Sequence, residues 1–143
     1  MREQTPRGRF SVQSVVANNR DIMLVAPGTP IPEGVKHLVL SGVVDSGAAR
    51  LVLPQRAVDE SRLQGHGETT VRYADGRRAK RPAVSNVWLQ LLGRDGVFSA
   101  VVEPDRADAL IGATVLEELD LLVDCPAQTL RPRKPDSVLT EIE

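Results

Sequence analysis

Apolar and polar residues alternate at period two over FSVQSVVA (10–17), with Phe10, Val12 and Val16 on one face, the pattern of a half-buried β-strand. Asn18-Asn19 then reads as a turn, because Asn tolerates positive φ, and IMLVA (22–26) would return as a second strand. PGTPIPEG (27–34) carries three prolines and reads as a loop. VKHLVL (35–40) predicts a strand that runs through Ser41-Gly42 to Val44. LVLP (51–54) predicts a short buried strand stopped by Pro54, and AVDESRL (57–63) a short helix ahead of the Gly-rich GHG at 65–67. ETTVRYADGRRAKRPAV (68–84) places Asp75-Gly76 between β-rich flanks, the strongest hairpin signal in the chain,. NVWLQLLGRDGVFSAVV (86–102) repeats that pattern around Asp95-Gly96. ALIGATVLEELDLLVD (109–124) holds an apolar run, a short helix and another strand, and TLRPR (129–133) reads as a last edge strand. There is no internal repeat. Many short strands, two Asp-Gly hairpins and one or two short helices predict a mainly β domain, a small barrel or closed sandwich. Its expected extent is 10–133, between polar tails at 1–9 and 134–143.

Composition narrows what such a domain can do. The chain has 143 residues, 41% apolar and 26% charged, enough for one core. Its aromatics are Phe10, Tyr73, Trp88 and Phe98, too few for a platform that stacks single-stranded nucleic acid. A net charge of -1 creates no strong field toward nucleic acid or an anionic membrane,. RRAKR (77–81) reads as the solvated arm of a hairpin. The single cysteine, Cys125, forms no internal disulfide or multi-cysteine metal site,; it reads as a small core or edge residue. The N-terminus MREQTPRGRF has no signal-peptide pattern,, and no apolar run approaches the ~20 residues of a membrane span. The expectation is a cytoplasmic protein without metal or cofactor.

The chemistry concentrates at one place. No GxxxxGK[ST] or GxGxxG loop occurs, and no GxSxG surrounds Ser46,. His37 and His66 stand apart. In VVDSGAARLVLP (43–54), however, a carboxylate sits between two runs that both want burial, and a charged, unpaired Asp there is costly. Gly47 lets the backbone turn sharply after Asp45, Ser46 can brace the loop, and Val43-Val44 fix Asp45 to a strand,. The plainer reading is an Asx turn in which Asp45 caps its own loop.

The order of features decides between these. Asp45-Ser46-Gly47-Ala48 is followed by an aliphatic strand, a helical patch and the hairpin Tyr73-Ala74-Asp75-Gly76-Arg77, then Leu110-Ile111-Gly112 and a short helix with Leu116 and Leu119. Over residues 35–132 this resembles the retropepsin-like (clan AA) aspartic proteases, bacterial single-lobe type. There, Asp-Thr/Ser-Gly-Ala forms the catalytic loop, a β-hairpin flap follows, and a hydrophobic-hydrophobic-Gly segment leads into a helix. LDLLVD followed by TLRP also looks like the close of bacterial members. Ser46 stands where many members have Thr. Ala113 and Thr114 follow Gly112 where retroviral members often carry Arg, so a subunit salt bridge from that position is absent.

The resemblance implies a closed β-barrel with one lobe per chain. It implies Asp45 as the catalytic residue, Ser46, Gly47 and Ala48 as loop support, residues 73–77 as flap, and a polypeptide substrate bound extended. Two carboxylates must share a proton in such an enzyme. The chain holds one D-[ST]-G; Asp75 and Asp95 read as exposed turn residues, and Asp120 and Asp124 lack the following Gly. The second carboxylate would therefore come from a second copy across a two-fold axis, in a homodimer. The alternatives are a catalytically silent dimer of the same fold that binds peptides or organises an assembly, and a small β domain with no site.

Overall fold

The period-two stretch forms β1 (Arg9–Asn18), with Phe10 and Val16 buried on the expected face and Val12 partly buried. The computed structural model describes residues 9–142, so residues 1–8 of the expected N-terminal tail lie outside the described residues. β1 does not return through IMLVA. Residues Asn19–Leu24 form a helix, α1, started by the Asn18 side chain, which accepts the Arg20 N–H at 2.9 Å. Met23 and Leu24 are exposed. A five-residue apolar run fits a helical turn as well as a strand, and the cap decides it. The antiparallel partner of β1 is β2 (His37–Asp45), in register from Arg9↔Asp45 to Ala17↔His37.

The remaining elements are β3 (Leu51–Leu53), α2 (Gln55–Ser61), β4 (Gln64–Arg72), β5 (Arg78–Leu91), β6 (Arg94–Val102), β7 (Ala109–Ile111), α3 (Ala113–Glu118), β8 (Leu121–Asp124) and β9 (Thr129–Pro132). The main sheet runs β1-β2-β7-β3-β6-β5-β4, and β1 also pairs with β5. That extra pairing closes six strands into a barrel and leaves β4 outside it, bonded only to β5. The mainly β, closed-barrel expectation is therefore met. The interior is aliphatic, with Val16, Val44, Leu51, Leu53, Val87, Leu89, Leu91 and Ile111 almost fully buried, each contributing about 1.5–3 kcal/mol by transfer from water.

The second predicted hairpin forms with its turn elsewhere. β5 and β6 join through Leu92-Gly93, both at positive φ, the two-residue turn that matches strand twist. Asp95 and Gly96 lie within β6 opposite Gln90 and Leu89. Asp95 is not a turn residue: its carboxylate accepts the Trp88 indole N–H at 3.1 Å. Gly96 is required by packing, since a Cβ there would stand 2.9 Å from the Phe98 ring,. His66 belongs to β4, where the ladder shifts register between Gly65 and Glu68. Cys125 is exposed in the turn after β8 rather than in the core. TLRPR does form a strand, β9, but as half of a separate two-stranded sheet with β8. No helix among the described residues is long and apolar enough to cross a membrane.

The segment after β9 is tied to the barrel. Asp120, buried, accepts the Leu139 N–H at 3.0 Å and Arg133 Nε at 2.6 Å. Arg94 donates to the carbonyls of Leu119, Asp120, Lys134 and Ser137. The Leu139 amide first, and Arg133 second, hold the Asp120 carboxyl below its ordinary value of 3.8. A carboxyl depressed in the folded state stabilises at pH values above its unfolded one, and that contribution is lost as pH falls through the folded value. Asp120→Asn should therefore lower the urea midpoint at pH 7, and the gap to wild type should close on acidification below pH ~4. A gap independent of pH would assign the loss to packing instead.

Candidate active site

Asp45 is the last residue of β2, directly after the fully buried Val44. β7 runs parallel to β2 with Val43↔Leu110 and Val44↔Ile111, and it meets β3 antiparallel at Val52↔Leu110. The short 109–111 strand is thus inserted between the strands on either side of the Asp45 loop, and it delivers Gly112 beside that loop.

The contact is made by backbone. Ala48 N–H closes a turn on the Asp45 carbonyl at 3.0 Å. The carbonyls of Ala48 and Ala49 accept the N–H groups of Ala113 and Thr114 at 2.8 and 3.0 Å. Those amides open α3, whose first residue follows Gly112 without any side-chain cap. The loop carbonyls do the capping, satisfying donors that a helix start leaves unpaired. A Cβ on Gly112 would fall 2.7 Å from both the Ala48 and Arg50 carbonyl oxygens. The D-S-G-A loop and the Leu110-Ile111-Gly112 segment are therefore one structural unit.

The Asp45 carboxylate is held on both oxygens. Oδ1 accepts the Gly47 N–H at 3.0 Å, the Asx-turn bond. Oδ2 accepts Arg9 Nε at 3.1 Å and Nη2 at 2.7 Å. Arg9 and Asp45 are cross-strand partners in the β1–β2 ladder. The Asp45 side chain is 16% exposed and that of Arg9 48%, so the pair is worth at most about 1 kcal/mol. In the single chain it is thus Arg9, assigned from sequence to the tail, that satisfies the carboxylate. Ser46 is exposed, and its hydroxyl has no hydrogen bond among the described residues.

The hairpin of β4 and β5 forms around the predicted tip. Tyr73 N–H reaches the Arg77 carbonyl and Gly76 N–H the Tyr73 carbonyl, each at 2.9 Å, with Gly76 at φ +88. Asp75 accepts the Arg77 N–H at 2.9 Å and Arg77 Nε at 2.8 Å, which holds its carboxyl below the usual range. Arg77 lies over the Tyr73 ring at 4.9 Å. The Tyr73 side chain is tied to the end of β6: its hydroxyl donates to Glu103 at 2.5 Å, and Arg81 donates to the same carboxylate at 2.6 Å. Glu103 escaped the sequence reading, and Arg81, read within RRAKR as part of a solvated arm, instead turns inward to pair with Glu103. The available signal was the one that exposed Asp45, a carboxylate directly after a buried strand, here Ala100-Val101-Val102.

A cleft of about 360 Å³ lies next to the loop, between β3, β6 and α3, lined by Arg50, Leu51, Phe98, Thr114 and Glu118 among others; Asp45 does not line it. Among the described residues no cluster of His, Cys, Asp or Glu could hold a metal ion.

No protein-family model matches the sequence, and no curated protein does. The fold has counterparts among solved structures. One is EIAV protease in complex with the inhibitor HBY-793, a retroviral enzyme, at a TM-score of 0.55 and 15% identity, over 82% of this chain and 93% of that one. At that identity the similarity establishes architecture alone: this chain folds as a retropepsin-like, single-lobe β-barrel.

Proposed function

We propose that the protein is an aspartic endopeptidase that works as a homodimer, with one Asp45 from each subunit. The observation that carries this reading is the unit built from Asp45 and Gly112. A single carboxylate ends a buried strand, on a loop whose carbonyls are locked to the start of α3. The fold supports it, being that of a retroviral protease.

In the dimer, two like charges ~3 Å apart could not both ionise, so the pair would retain one proton at working pH. The ionised member would take a proton from water as the water attacks the scissile carbonyl. The protonated member would donate to the carbonyl oxygen. The proton then passes to the leaving amine as the C–N bond breaks. The apparent pKa values belong to the pair. Gly47 N–H supports one oxygen of each carboxylate and keeps its plane fixed. The end of the β4–β5 hairpin, residues 71–79, would act as flap. β4 ends the sheet, and its outer edge is unpaired among the described residues, which suits main-chain pairing with an extended peptide.

Arg9 favours a second reading. It occupies the Oδ2 oxygen that a twin carboxylate would need, and if it stays there in the dimer the site is a silent peptide-binding module. The small worth of a half-exposed pair argues that assembly can displace it. The test is incubation of the protein with an unfolded polypeptide across pH 3–8, reading fragments by mass spectrometry and subunit state by sedimentation. A dimer that cleaves, with a rate that falls on both sides of an acidic optimum, supports the enzyme. A dimer that binds without cleaving supports the module, and a monomer at high concentration overturns both.

A further inference from the structure

We propose that Glu103 is the positioning residue of the flap, a carboxylate clamp that fixes the hairpin tip to the barrel wall and governs its closure over the site. The inference rests on the endopeptidase reading for its catalytic consequence, and on geometry alone for the clamp.

The hairpin has little else to hold it. β4 lies outside the closed ring and most of its residues are exposed. Along the two strands the less exposed positions are Thr69, Val71, Tyr73, Ala79 and Arg81, while Thr70, Arg72, Arg78 and Lys80 face solvent. Thr69↔Arg81 and Val71↔Ala79 are cross-strand partners, so Tyr73 and Arg81 project from the same, inward face. Both reach Glu103, one to each oxygen: Arg81 Nε to Oε1 and the Tyr73 hydroxyl to Oε2. The Glu103 side chain is 15% exposed. Its carboxylate pushes the Tyr73 phenol above its ordinary value, so the hydroxyl stays a donor through neutral pH.

Glu103 is itself rigidly held. Its N–H extends the β3–β6 ladder by bonding the Leu53 carbonyl at 2.9 Å, and its carbonyl accepts the Arg106 N–H at 3.2 Å. The connection it opens, 103–108, leads directly into β7 and Gly112. The tip is therefore tied to the connection that leads into β7, the strand whose far end delivers Gly112 beside the Asp45 loop. Charge-assisted bonds of this kind are the strong ones. In a segment with few buried apolar contacts they set the opening equilibrium.

The test compares Glu103→Ala, Glu103→Gln and Tyr73→Phe with wild type. The readouts are amide hydrogen exchange at residues 71–79, exchange in the core strands, and KM and kcat for peptide cleavage. Expected is exchange at the tip faster by about tenfold or more in Glu103→Ala. Glu103→Gln, which keeps an oxygen for Tyr73 but loses the charge opposite Arg81, should fall between Ala and wild type. Core exchange should stay unchanged, and KM should rise more than kcat falls. Tyr73→Phe removes one hydroxyl and keeps the ring, so it tests the clamp even where Glu103→Ala folds poorly. Unchanged tip exchange in both Tyr73→Phe and Glu103→Gln would overturn the clamp, as would equal acceleration at tip and core, which marks a general brace. Absence of cleavage in wild type together with selective loosening of the tip would refute the endopeptidase and leave the clamp standing.

Discussion

Asp45→Asn is expected to bring peptide cleavage to background, a loss of at least ~10²–10⁴-fold from removal of the base alone, with the dimer retained. An amide cannot take the proton from water, and in a homodimer the substitution removes both carboxylates at once. The fold should survive, because Asn keeps an oxygen for the Gly47 N–H. What is lost in the single chain is the Arg9 pair, half-exposed and worth about 1 kcal/mol or less,. Sedimentation and urea denaturation then read the structure while fragment analysis reads the chemistry. Ser46→Ala should be far milder, since that hydroxyl is exposed and bonds nothing among the described residues. Cleavage that persists in Asp45→Asn, or that a chelator abolishes, would remove the aspartic-protease reading.

Gly112→Ala should be strongly destabilising. The backbone there, at φ -95 and ψ -175, is extended and open to any residue, so conformation is not the obstacle. Space is. The added methyl carbon would stand 2.7 Å from two carbonyl oxygens and 2.9 Å from the Ala49 carbonyl carbon. All three atoms belong to backbone, which cannot rotate away as a flexible side chain can. We expect destabilisation of about 3 kcal/mol or more, the upper end of overpacking costs, together with loss of activity as the loop carrying Asp45 is pushed off α3. Gly65→Ala is the control: a Cβ there meets nothing within 4 Å, and its urea midpoint should match wild type. Equal midpoints for the two variants would show that the loop and α3 are not locked as described.

These two variants probe one unit from opposite sides, at positions 67 residues apart in the chain. Rigidity is the reason for that arrangement. On the proposed endopeptidase reading, a carboxylate that meets its twin within hydrogen-bond distance must not drift. Loop and helix start fix one another through backbone hydrogen bonds, from the Ala113 and Thr114 N–H groups to the Ala48 and Ala49 carbonyls.

Much of this was legible in the residues. Period-two alternation placed β1, the run into Val44 placed β2, and the Asp75-Gly76 turn placed the flap-like hairpin at its observed tip, because the signals are local and span only a few residues. Other local signals pointed wrongly. IMLVA has the composition of a strand, yet Asn18 starts a helix there; Asp95-Gly96 has the composition of a turn, yet Leu92-Gly93 takes the turn and Gly96 yields its space to Phe98. By itself the sequence determined a small β domain, an Asp held at the end of a buried strand, and the order of features that resembles a protease lobe. Only tertiary structure decided that β7 inserts between β2 and β3, that β1 closes the ring on β5, and that Arg9 and Glu103 join the site region. Those are non-local pairings, set by which apolar faces and unsatisfied backbone groups meet after the chain collapses. No window along the chain contains both partners.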